Sequence, residues 1–246
     1  MDFEQREKWT QEGESYCDRA SILAERNDFQ AAIELYDQAR QLFERIHEPR
    51  WLAFLLHEKF HLLHRMKAYE EALQLSEPII LNYRETENSK GLFLFLTHKA
   101  ALYLDQGNIR GSLECLRIAE VIDREEKLVE SRGYLFSNIA ANLYNLGNYA
   151  EAIGYLGRAL DLYRERPQTA ERMWCHLHLG KSHHKIYRFR DAEMHYSKAY
   201  HGYLSLQDNQ AALSAMTPLR ALYAARGAKE KLDALDSAMQ RIKRSV

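Results

Sequence analysis

A spacing of 40 residues runs through the whole chain and limits its fold more than any other feature of the sequence. A short turn motif recurs with its first residue at positions 27, 67, 107, 147, 187 and 227. Asn27-Asp28-Phe29 and Gly147-Asn148-Tyr149 are clear examples, and no insertion or deletion interrupts the series. An internal repeat of this length is typical of solenoids, in which one supersecondary unit is stacked many times.

Two columns of small side chains accompany the turns. Five and twelve residues after each first turn residue, alanine fills eight of the twelve positions. Small side chains let two helices approach closely, and a large residue beside the turn, such as Phe29 or Tyr149, fills the groove next to them. Apolar residues between the turns recur at three and four, as at Ile139, Leu143 and Leu146. The pattern predicts two helices per repeat, joined by a turn where glycine or asparagine accepts the left-handed conformation.

Composition agrees with a helical, folded chain. Only 4 Pro and 11 Gly occur in 246 residues, and 46% of the residues are hydrophobic, which excludes a disordered polypeptide. No apolar run reaches the length that spans a membrane, so no membrane partner is expected. Pro78 and Pro218 fall inside predicted helices, and each is expected to remove a hydrogen bond and bend its helix.

Charge and cysteine content narrow the class of protein further. Lys and Arg number 34 against 35 Asp and Glu, a balance that argues against a nonspecific nucleic-acid binder. Cys17, Cys115 and Cys175 are widely separated and form no CxxC pattern. With a charged first segment that lacks an apolar signal core, these features predict a cytoplasmic protein without a disulfide framework or a cysteine metal site.

The segment from Gly147 to Ile153, followed by Tyr155, Ala159 and Leu160, resembles the tetratricopeptide repeat, a helix-turn-helix module. The resemblance implies an all-α, right-handed α-solenoid of about six helical hairpins that forms a single domain over 1–246. The period is longer than the usual 34 residues, as in the family's variants in kinesin light chain and the peptide receptors of Gram-positive quorum sensing. The expected repeats are 13–46, 53–86, 93–126, 133–166, 173–206 and 213–244, the last one degenerate and capping.

His57-Glu58-Lys59-Phe60-His61 satisfies the HExxH pattern, in which two histidines one helical turn apart bind zinc and a glutamate activates water. A zinc hydrolase is therefore a remote alternative. A zinc site also needs a third protein ligand, and the motif lies inside a repeat that already explains the helix. Because no other catalytic pattern occurs, we expect no catalytic residue, no metal site, no cofactor and no enzymatic activity.

The resemblance further implies that the first helix of each repeat lines a concave groove. Such a lining is polar, aromatic and locally cationic, which suits an extended peptide, and repeats four and five are its expected anchor. Each side chain also has a plainer interpretation as a solvated or packing residue. The candidate groove residues are His57, His61, Arg65, His98, Tyr134, Asn138, Tyr144, Asn145, Trp174, His178, Lys181 and Lys185.

The sequence therefore predicts a non-catalytic scaffold or adaptor that binds a protein or peptide in the groove. A regulatory receptor for a short signalling peptide is an alternative. A structural subunit of a larger assembly is another, with the convex face or an end repeat as the contact and a homodimer through an end repeat as one form.

Overall fold

The computed structural model describes residues 2–127, 132–165 and 169–244. Thirteen α-helices and no strand occur in these residues, which confirms the predicted all-α class. The helices are α1 (Phe3–Glu25), α2 (Phe29–Arg45), α3 (Pro49–Arg65), α4 (Tyr69–Gln74), α5 (Ser76–Glu85), α6 (Ser89–Asp105), α7 (Ile109–Glu126), α8 (Arg132–Asn145), α9 (Tyr149–Leu162), α10 (Ala170–Lys185), α11 (Phe189–Ser205), α12 (Asn209–Ala225) and α13 (Lys229–Arg244).

The turn inside each hairpin has the conformation that the sequence predicts. At all six first turn residues φ lies between +63° and +83°, although Lys67 and Tyr187 stand where glycine or asparagine is favoured. The backbone N–H of the following residue donates to a carbonyl in the last turn of the preceding helix. Asn148, for example, donates to the carbonyl of Leu143 at 2.8 Å. A lysine or tyrosine in this conformation costs roughly 1 kcal/mol relative to glycine.

The alanine columns lie where helices meet, and this explains their spacing. Each first helix packs on the second helix of its hairpin and on the second helix of the hairpin before it within the same unit. At the alanine positions of these columns a larger side chain would overpack the helix contact, whereas the second hairpin accommodates the buried Ile79. Eight alanines of these columns have no exposed surface: Ala32, Ala39, Ala72, Ala119, Ala152, Ala159, Ala192 and Ala199.

The chain divides into two compact units, Met1–Lys127 and Leu128–Val246. In the first unit α1 to α7 form three hairpins, and in the second α8 to α13 form three more. Within each unit the helices pack against their neighbours in chain order, which is the packing of stacked helical hairpins. The single solenoid expected over 1–246 stays a prediction.

The two prolines have different effects. The second helix of the second hairpin divides at Leu75 into α4 and α5, three residues before Pro78. Pro218 lies inside α12, which continues through it without interruption. Among the helices of the described ranges, none combines the length and the apolar character needed to cross a bilayer.

Candidate functional site

A buried set of hydrogen bonds fixes the first helices of the first unit. His57 on α3 is only 8% exposed, and its Nδ1 lies 3.0 Å from the Tyr83 hydroxyl on α5. Its Nε2 lies 2.8 Å from Nδ1 of His98 on α6. The ring also meets Phe95 edge to face at 5.2 Å between centroids. His57 therefore joins three helices in the core and offers little surface to a ligand.

These histidines are held neutral. Burial, with smaller contributions from His98 and His61, lowers the pKa of His57 to about 3. Burial is also the main cause that lowers the pKa of His98 and of His61. A hydrogen bond between two imidazole rings needs one N–H and one bare nitrogen, so the neutral forms suit the short contact between His57 and His98.

Three residues of the HExxH pattern, His57, Lys59 and Phe60, are engaged in contacts within the protein. Lys59 pairs with Asp37 at 2.8 Å, and Phe60 has no exposed surface. Burial raises the pKa of Glu58, and both ring nitrogens of His57 already have partners. In the part of the chain that the structure describes, no three His, Cys, Asp or Glu side chains are arranged to hold a metal ion. Packing of α3 and its ion pair with α2 therefore account for three of the five residues of the motif.

The last turn of α3 is also engaged by the protein itself. His64 lies with Nε2 at 2.8 Å from the Asp105 carboxylate on α6. Arg65 donates to the Asn27 side chain at 2.9 Å and to the Ala24 carbonyl at 3.3 Å. Its guanidinium stands 4.5 Å from the centre of the Phe29 ring, so Arg65 covers the turn of the first hairpin.

In the second unit, several predicted groove residues contact one another through their aromatic rings. Trp174 stacks on His178 of the same helix, with ring centroids 3.8 Å apart and planes 22° apart. Tyr144 of α8 meets the His178 ring edge to face at 6.3 Å. Burial lowers the pKa of His178 to about 3, and among the described residues its Nδ1 has no hydrogen-bond partner. Burial also lowers the pKa of Lys181, one turn further along α10.

A cavity of about 400 Å³ opens beside Trp174. It lies where the start of α8 meets the ends of α9 and α11 and the starts of α10 and α12. Three of the predicted groove residues reach it, namely Tyr134, Asn138 and Trp174. The described residues that line it are Tyr134, Ser137, Asn138, Tyr163, Ala170, Glu171, Trp174, Tyr203, Asp208 and Ala211.

The other predicted residues of the second unit lie outside this lining. Asn145 and Lys185 are exposed at the last positions of α8 and α10. Tyr144 is half-buried against Tyr149, with ring centroids 5.2 Å apart. A role in ligand binding stays a prediction for all twelve groove candidates.

Reasoning from the sequence missed the walls that the second helices contribute. Tyr163 and Tyr203 stand 40 residues apart, in the same register as Phe43 and Tyr83. That aromatic column was visible in the sequence and marks the end of each second helix in which it occurs. Glu171 and Asp208 carried no comparable signal, because acidic residues are common at the first turns of helices.

Comparison with known proteins supports the helical-repeat fold described above. No curated protein is significantly similar in sequence to this chain. Residues 131–205, which span the fourth and fifth hairpins, match the family described as tetratricopeptide repeat.

Three solved structures illustrate the similarity of fold. A STAND signal transduction ATPase with a tetratricopeptide repeat sensor, from Pyrococcus horikoshii, has a TM-score of 0.83 at 18% identity. That alignment covers 95% of this chain but only 36% of the ATPase, so this chain spans about a third of its length. BtubC from P. vanneervenii has a TM-score of 0.75 at 19% identity, covering 88% of this chain and 91% of the other. A Rap protein complexed with Competence and Sporulation Factor has a TM-score of 0.60 at 14% identity, covering 95% and 75%.

Paired helices, left-handed turns and buried alanines at a fixed period define a helical-repeat protein. Such proteins generally supply binding surfaces. The family model identifies tetratricopeptide repeats in residues 131–205, and the solved structures share the fold of this chain over most of its length.

Proposed function

We propose that the protein is a non-catalytic scaffold that binds an extended peptide, or a flexible segment of a partner protein, through its second unit. The cavity of about 400 Å³ carries this proposal, because three predicted groove residues meet there. Its size falls in the usual range for binding sites, roughly 300–1,000 Å³. The three unpaired, buried cysteines support a cytoplasmic location, where thiols stay reduced.

The side chains around the cavity offer complementary contacts to a peptide. Asn138 supplies an amide that can pair with a peptide backbone, while Trp174 and the 62% exposed Tyr134 can cover side chains of the ligand. Lys181 lies outside the lining, about two helical turns beyond Trp174 on α10, and has no ion-pair partner among the described residues. A ligand that extends from the cavity along α10 would meet its ammonium with a carbonyl or carboxylate. Because helices hold these groups in place, little ordering is needed on binding.

A receptor for a short regulatory peptide is the form of this proposal that the fold similarity favours. The Rap protein of similar fold was solved with Competence and Sporulation Factor bound. A bound peptide would raise the melting temperature of this chain by mass action. The homodimer through an end hairpin stays a prediction, which sedimentation equilibrium of the purified chain would test.

Selection of peptides from a displayed library of random 12-residue sequences tests the proposal. We expect the wild-type chain to select peptides whose affinity falls at least about tenfold with Trp174→Ala or Lys181→Ala, a loss of about 1.4 kcal/mol. Fluorescence anisotropy with synthetic copies of the selected peptides measures the change.

Phe54→Ala provides a matched control. Phe54 occupies the same position in its repeat as Trp174, is 39% exposed and lies in the first unit. Its removal should leave peptide affinity unchanged. Failure to select any peptide, or equal affinity for wild type and the two α10 variants, would contradict the proposal.

A further inference from the structure

We propose that the cavity of the second unit accepts the cationic side chain of an arginine or lysine in the bound peptide. This inference rests on the proposed function and adds the chemistry of the group that is recognised. Two features carry it: the aromatic rings that wall the cavity and the carboxylates at its edge.

Four aromatic residues line the cavity. Tyr134 and Trp174 are partly exposed, whereas Tyr203 is 5% exposed and Tyr163 is half-buried. Tyr163 packs directly on the α8 backbone, since a Cβ at Gly133 would lie 2.7 Å from its ring. Burial raises the pKa of Tyr203 to about 12, so its ring stays a neutral phenol. The faces of such rings attract cations, and several rings around one space form the cages that bind ammonium groups.

The charges of the lining have one sign. Glu171 and Asp208 are acidic, and among the described residues that line the cavity none is Lys, Arg or His. Glu171 has no salt-bridge partner among the described residues, and the Asp208 carboxylate accepts one hydrogen bond, from the Ala211 N–H at 2.9 Å. The neighbouring Arg172 turns its guanidinium to the carbonyls of Tyr163 and Arg164, at 3.4 and 3.3 Å.

An anion is the competing occupant, because α10 and α12 both begin at the cavity and helix starts attract negative charge. Side chains of the protein already cap both helices. Thr169 accepts from the Arg172 N–H at 3.3 Å, and Asp208 caps α12 with a carboxylate. A second negative charge beside Asp208 and Glu171 would be repelled, so the balance of charge favours a cation.

Titration of the purified chain with small probes tests the inference directly. Trp174 is one of three tryptophans, so its indole N–H resonance can be assigned in a nitrogen-15 correlation spectrum by Trp174→Phe. The probes are N-acetyl-arginine amide, its neutral analogue N-acetyl-citrulline amide, and N-acetyl-aspartate amide. We expect the arginine probe to shift the Trp174 resonance saturably and the citrulline probe to bind at least about tenfold more weakly.

A charge-neutral variant of the cavity gives the second measurement. Glu171→Gln with Asp208→Asn removes both carboxylates, while asparagine still caps α12. It should abolish the preference for arginine over citrulline. Glu230→Gln with Asp233→Asn, on α13 and outside the lining, removes the same charge and should leave that preference intact.

The outcomes separate this inference from the proposed function. Equal binding of arginine and citrulline, stronger binding of aspartate, or no shift of the Trp174 resonance with arginine would overturn the cation site. Peptides selected from the library that depend on Trp174 but not on a basic residue would overturn it too, and would leave the proposed function standing. If no peptide is selected, the proposed function fails and this inference falls with it.

Discussion

His98 and His178 occupy the same position in their repeats, 80 residues apart, yet their surroundings differ. His98 lies in the first unit with its Nδ1 at 2.8 Å from His57. His178 lies in the second unit with its Nδ1 unpaired among the described residues, and its ring lies against Trp174. In the first unit the histidine at this position is hydrogen-bonded to the core, whereas in the second its buried Nδ1 has no partner among the described residues and its ring stacks on Trp174, which lines the cavity.

The difference comes from the residue that the preceding hairpin supplies. The first unit places His57 there, while the second places Ser137 at the same repeat position. The Ser137 hydroxyl donates to the Gly133 carbonyl at 2.9 Å, within its own helix. A shorter side chain thus leaves the histidine of the next hairpin without a partner. The repeat fixes where a side chain stands, and its neighbours decide whether it has a hydrogen-bond partner.

Replacing His57 and His178 by alanine should give the largest difference in stability between the two units. His57→Ala removes a buried ring and leaves the Tyr83 hydroxyl and His98 without their partner, so we expect a loss of about 3 kcal/mol of unfolding free energy. His178→Ala removes a half-buried ring that accepts no bond at Nδ1, and should cost about 1 kcal/mol or less. Urea unfolding followed by circular dichroism measures both. Equal losses would show that the hydrogen bonds of His57 add nothing to its packing.

Acid should act on both histidines alike, since burial lowers the pKa of each to about 3. An unfolded histidine titrates near 6.5, so the unfolded chain binds more protons than the folded chain between these values. The stabilisation is complete above pH 6.5 and is lost as the pH falls toward 3. For each histidine the loss between pH 7 and pH 5 should be about 2 kcal/mol.

His57→Asn and His178→Asn should each flatten that dependence by the same amount, measured by urea unfolding at pH 7, 6 and 5. A flatter profile for the His57 variant alone would mean that His178 takes up its proton in the folded chain. The two units would then differ in solvation as well as in hydrogen bonding.

The repeated parts of the fold could be predicted because few residue types satisfy their physical demands. A left-handed turn favours glycine or asparagine, and a close helix contact favours a small residue such as Ala152 or Ala192. Both kinds of residue therefore recur at 40-residue spacing in the sequence. Even the turns at Lys67 and Tyr187 could be placed, since the period fixed them where composition did not.

The candidate site was predicted only in part, because it depends on how side chains of different helices meet. Tyr134, Asn138 and Trp174 came from the expected face of the first helices, but Tyr163 and Tyr203 came from the ends of second helices. The bond between His57 and His98 joins two different repeat positions, 41 residues apart. Such pairs depend on the rotation of each helix about its axis, which hydrophobic spacing fixes only coarsely.

The turns provide the smallest and most closely matched comparison between the two units. Lys67 in the first unit and Tyr187 in the second both have φ of +63°. Glycine adopts this conformation without strain, and part of that gain is offset by the greater freedom of glycine in the unfolded chain. We expect Lys67→Gly to raise the unfolding free energy by about 0.5 to 1 kcal/mol. Tyr187→Gly should gain slightly less, because the Tyr187 ring, 80% exposed, still meets Phe189 edge to face at 6.1 Å.

Thermal unfolding of both variants beside Gly147→Ala completes this test. Gly147 has φ of +83°, and alanine there should cost about 1 kcal/mol although no atom lies near the added Cβ. Gly154→Ala, inside α9 with equally open surroundings, should instead stabilise by about 1 kcal/mol. Equal gains in unfolding free energy for Lys67→Gly and Tyr187→Gly would show that the turns of the two units have the same backbone energetics. The difference between the units would then lie in their side chains. A gain in one unit and a loss in the other would place part of that difference in the turns themselves.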